Sequence, residues 1–126
     1  GLAQLVADGY APEAEGVLFE TEHGDPASAV QQAEELYALQ VNVHTEDAYG
    51  WALHNAGRSG EALPHARAAV RLESPYAAFY YHLGVIEAAV GNTAEAEVAL
   101  QHALTLNPEF SPRHATEARR LLQQLK

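Results

Sequence analysis

The sequence contains neither cysteine nor methionine. The first absence removes disulfide scaffolds, thiolate zinc sites and thiol nucleophiles together, and leaves packing as the source of stability. The second leaves no initiator residue. The expectation is therefore of an excised fragment, with Gly1 as the scar of a cleaved tag. Long apolar runs are missing as well. No stretch approaches the roughly 18 uninterrupted apolar residues of a membrane span, and no basic, then apolar, then small-residue leader opens the chain. Membrane insertion of this segment is not expected. A cytoplasmic domain fits this composition, and so does an envelope-associated fragment whose leader is absent.

Positive charge is absent from the first half. Residues 1–57 hold ten Asp or Glu and no Lys or Arg, whereas residues 58–126 hold seven of each sign. The whole net charge of -10 therefore sits before Arg58. Such a field repels phosphate backbones and anionic lipid, which excludes nucleic acid and points to a neutral or basic protein partner. Enzyme signatures are also missing. There is no Gly-rich phosphate loop, no His-Glu-x-x-His and no nucleophile elbow, so no catalytic residues and no cofactor are expected.

What is present favours helices. Alanine, leucine and glutamate dominate, while isoleucine and threonine are scarce. At 126 residues the chain suits one domain, 1–126. Its clearest feature is an internal period: Gly50, Gly57, Glu61, Ala62 and Leu72 recur 34 residues later as Gly84, Gly91, Glu95, Ala96 and Leu106. An earlier, weaker copy begins at Gly24-Asp25-Pro26, 33 residues before Gly57.

Turn chemistry divides the chain in the same places. Asp25-Pro26, Ser74-Pro75 and Ser111-Pro112 each set a capping side chain before a proline suited to the first helical turn, and Gly24, Gly57 and Gly91 supply helix ends. The predicted helices are a partial one at 2–8, then 12–23, 26–39, 44–56, 60–72, 76–90, 93–106 and 112–125. Pro64 falls inside one of them and predicts a slight bend. Phe19, Tyr37, Phe79 and Tyr80 are expected in the core.

With a 34-residue period, Leu83-Gly84 in a first helix, Ala96 in a second and Asn107-Pro108 at the end, the chain resembles the tetratricopeptide repeat (TPR) family. It departs from the family pattern at Tyr49, Ser74 and Glu87. The resemblance implies an all-α, right-handed α-solenoid of antiparallel helix pairs, with repeats about 10–42, 43–76 and 77–110 and a capping helix about 112–125. Ala115, Ala118, Leu122 and Leu125 give that cap its apolar stripe, opposite the polar Arg113, Glu117, Arg120 and Gln124. The chain is similar to the C-terminal end of long bacterial TPR arrays. More repeats are expected before Gly1, and the uncapped Leu2, Leu5 and Val6 offer a surface for self-association.

In this family the first helix of each pair lines the concave groove, so the resemblance implies a protein-interaction scaffold that holds a peptide there. His44, Asp47, Trp51 and His54 fall on one helix face, with Asn55 beside them, and Tyr81, Val85 and Arg119 are expected to extend the groove. Trp51 and Tyr81 are the aromatic anchors, and ordinary packing between repeats is the alternative role for both. Asp47, with Glu22 on the preceding first helix, makes one end of the groove suit an arginine or lysine. The rival reading is a structural cap for a longer array. A metal- or small-molecule-binding domain ranks below both: His44 and Asp47 stand one turn apart, but His54 lies about 15 Å further along the helix, beyond one coordination sphere. His23, His65, His82, His102 and His114 show no ligand spacing, and no metal site is expected.

Overall fold

The computed structural model describes residues 12–126, and the predicted helix at 2–8, with Leu2, Leu5 and Val6, lies outside them. The described residues form seven helices: α1 (Pro12–His23), α2 (Pro26–Leu39), α3 (Val43–Asn55), α4 (Ser59–Val70), α5 (Ala77–Ala89), α6 (Thr93–Leu106) and α7 (Pro112–Leu125). Each lies within two residues of its predicted bounds.

Local chemistry explains most of the ends. The Asp25 carboxylate accepts from the Ser28 amide at 3.0 Å, capping α2 ahead of Pro26. Asn42 and Thr45 close a reciprocal capping box on α3. Gly57 and Gly91 take φ of 82° and 91°, the left-handed turn that lets Arg58 and Asn92 reach back to the carbonyls of Leu53 and Glu87. Ser74 departs from expectation. Its hydroxyl donates to the Ala69 carbonyl at 2.6 Å, so it closes the end of α4, and α5 begins at Ala77 with no side-chain cap. α4 runs unbroken through Pro64.

Packing follows the small residues. A Cβ on Gly50 would lie 3.1 Å from the Ala66 amide nitrogen, and one on Gly84 would lie 2.5 Å from Leu100 Cγ. These two glycines bring α3 onto α4 and α5 onto α6, one period apart. Each odd-numbered helix also packs on the next odd one, whereas the even helices do not meet one another. The chain is therefore an all-α solenoid with α1, α3, α5 and α7 as its inner row.

The core is built from alanines, together with Leu53, Ile86 and Leu100. Of the four aromatics expected there, Phe79 is buried and Tyr37 and Tyr80 are half-buried, but Phe19 is 67% exposed. Glu87, standing where the family pattern has an aromatic, is buried and accepts from Arg67 at 3.0 and 3.2 Å and from Asn92 at 2.8 Å.

Candidate functional site

The inner row encloses a concave cleft of about 400 Å³, lined by Thr21 and Glu22 of α1, Trp51 and Asn55 of α3, Tyr81 of α5, and Arg113, His114 and Glu117 of α7. A second hollow of about 580 Å³ lies on the other side of Glu22, His82 and His114, with Leu18, Phe19 and His23 on its wall.

Trp51 forms the floor. It is 6% exposed, its indole N–H donates to Glu22 Oε1 at 3.1 Å, and its ring stacks on His82 at 4.1 Å and on His54 at 5.3 Å. Tyr81, also buried, lies 5.9 Å from Trp51 and stacks on His114 at 4.7 Å. Burial, reinforced by the Glu117 and Glu22 carboxylates, pushes the Tyr81 phenol up to about 12. Both aromatics thus pack between repeats, the alternative role above, while still facing the cleft along one edge.

Asp47 is not a groove-surface carboxylate. It is 2% exposed and accepts from His82 Nδ1 at 2.8 Å, behind the Trp51 floor. His54 likewise backs Trp51, with Nδ1 2.8 Å from the Ser59 hydroxyl, and burial, then the nearby His82, holds it below the usual histidine range. Asn55 is exposed in the cleft, its amide N–H bonded to the Trp51 carbonyl at 2.8 Å.

Three expected groove residues lie elsewhere. His44 sits at the start of α3 against Tyr76 and Phe79, two turns from Trp51. Val85 is half-buried against the core. Arg119 turns outward, donating to the Pro108 carbonyl at 2.7 Å, because its position on α7 faces the loop from α6.

The cleft has members that spacing did not reveal. Glu22 reaches across the groove to His114 Nε2 at 3.1 Å and to Arg113 at 3.8 Å, joining α1 to α7 although their backbones do not pack. His82, which shows no ligand spacing in the sequence, is 3% exposed and converges with Glu22 and His114. Burial lowers the His114 pKa, with the Glu22 carboxylate opposing the shift. No sequence spacing signals this meeting, since the residues come from α1, α5 and α7. Arg113 and Glu117, read as the solvent face of the cap, also line the cleft.

Solved structures share this architecture. The Yersinia enterocolitica type III secretion translocator chaperone SycD matches with a TM-score of 0.72 over 89% of this chain and 79% of its own, at 19% identity. The MamA protein matches with a TM-score of 0.65 over 96% of this chain and 70% of its own, at 22% identity. Both are TPR-like helical solenoids, and the present chain has that fold. The sequence matches no family model and no curated protein. No helix among the described residues is long and apolar enough to cross a membrane.

Proposed function

We propose that the protein is a non-catalytic interaction module whose concave cleft receives an extended or helical segment of a neutral to basic polypeptide. The observation that carries this reading is the make-up of the cleft. A rigid aromatic floor from Trp51 and Tyr81 lies beneath the carboxylates of Glu22 and Glu117, with the Asn55 amide at the rim. Large aromatic area with a few fixed polar groups is the usual anchor chemistry for a bound segment, and an arginine or lysine on it would exchange with the exposed Arg113 at Glu22 and with Arg120 at Glu117. The net charge of -10 steers the same class of partner. SycD, which shares the fold, is itself a chaperone of a secretion translocator.

The sole tryptophan lies in the cleft floor, so its emission reports occupancy directly. Peptides selected from a random-sequence display library should shift Trp51 emission, be enriched in Lys and Arg, and bind less well to an Asn55→Lys, Glu117→Lys variant. Selected peptides that bind the variant as tightly as the parent would sink the groove reading. That result would favour the alternative, a structural end-piece, for which the amphipathic α7 speaks: its Ala115, Ala118 and Leu122 are buried and its Arg120 and Gln124 exposed.

A further inference from the structure

We infer that Glu22, His82 and His114 form a three-ligand site for a divalent transition-metal ion of the zinc class, tying the first and last inner helices of the solenoid together across the groove. One ligand atom from each residue lies within 4.8 Å of the others. Glu22 Oε1 and His114 Nε2 are 3.1 Å apart. Ligand atoms around a tetrahedral zinc, each about 2.0–2.1 Å from the metal, lie about 3.3 Å from one another. The cluster therefore needs only side-chain contraction, chiefly of His82 toward the other two.

The donor set also suits such an ion. Two imidazoles and one carboxylate are borderline ligands that favour zinc and its neighbours over calcium or magnesium. The second sphere is already in place. Asp47, itself buried, accepts a hydrogen bond from His82 Nδ1 at 2.8 Å. That bond commits the proton to Nδ1 and leaves Nε2 with its lone pair for a metal, the carboxylate behind histidine that orients metal-ligating imidazoles generally. Stacking of His82 on Trp51 and of His114 on Tyr81 fixes both ring planes. Arg113, the nearby cation, has a side chain 76% exposed and is free to swing into solvent as the metal enters.

Three protein ligands leave at least one coordination position open to the clefts on either side. Water fills it in the isolated protein. Because the ligands come from α1, α5 and α7, the ion cross-links α1 to two helices with which its backbone makes no contact, and so stabilises the curl of the solenoid by mass action.

The test is a Zn²⁺ titration of the metal-free protein without peptide, so that its outcome does not depend on the groove reading. Calorimetry should find one saturable Zn²⁺ per chain, with a rise in Tm and a change in Trp51 emission as Glu22 leaves the indole. Glu22→Gln and His114→Asn should each weaken binding at least about tenfold, Asp47→Asn should weaken it roughly 10-fold through the second sphere, and His102→Asn should leave it unchanged. No saturable binding, or an affinity that survives both Glu22→Gln and His114→Asn, overturns the proposal. Should a variant lose its helical circular dichroism, the imidazole ¹H–¹⁵N spectrum of the unmodified protein decides. Zn²⁺ moving the His82 and His114 signals together supports the site, and shifts confined to other histidines overturn it.

Discussion

Asp47 and His82 form a hydrogen bond of 2.8 Å while only 2% and 3% exposed, joining α3 to α5 beneath the stacked Trp51 ring. A polar pair so far from water satisfies itself or costs free energy, so each partner depends on the other. Asp47→Ala should destabilise the fold by about 1–3 kcal/mol because it leaves His82 unsatisfied. Adding His82→Phe should recover part of that loss. Urea unfolding of the two single variants and the double variant measures the coupling, and strict additivity would show that the pair is not a unit.

The helical glycines should separate by the space around them. Gly84→Ala places a methyl group 2.5 Å from Leu100 Cγ, so it is expected to cost about 1–3 kcal/mol through overpacking. Among the described residues, nothing lies within 4 Å of the point an added methyl group would occupy on Gly16, inside α1. Gly16→Ala should therefore behave oppositely and stabilise by about 0.5–1 kcal/mol. Thermal melts of the two variants check the contrast in sign.

Acid sensitivity follows from His54. Burial, then the nearby His82, lowers its pKa in the folded state, so folding favours the neutral ring. Its contribution is complete above the ordinary histidine value of about 6.5 and is lost as pH falls through the lower folded value. The urea midpoint should therefore fall between pH 7.5 and pH 5. His54→Gln should shrink that difference while keeping a polar group near Ser59. An unchanged pH dependence in the variant would assign the effect to other groups.

The capping box on α3 predicts a local loss. Asn42 accepts from the amides of His44 and Thr45 at 2.9 and 3.0 Å, and Thr45 Oγ1 accepts from the Asn42 amide at 2.9 Å. Asn42→Ala should cost about 1 kcal/mol. Amide exchange should accelerate first at His44 and Thr45, whereas uniform acceleration along the chain would indicate a global rather than a capping effect.

The candidate site was legible in part. Trp51, Asn55 and Tyr81 do line the concave cleft, because a helical face is set by steps of three and four residues and the family resemblance says which face turns inward. Asp47 and His54 share the Trp51 face but are covered by their neighbours, since the inner helices pack closely enough for His82 to fill the space beside them. Arg119 falls outside the groove because rotation of the last helix decides whether a residue meets the cleft or the preceding loop.

The sequence by itself determined the helices, their ends and the period. Those features rest on contacts within a few residues, on proline and glycine backbone preferences, and on small residues such as Gly50 and Gly84 that recur where helices cross. Only the tertiary structure decided that Glu22, His82 and His114 meet, that Asp47 is buried and that Phe19 is exposed. Each of these depends on how far the inner row curls, a sum of small rotations between successive helix pairs that no local spacing encodes.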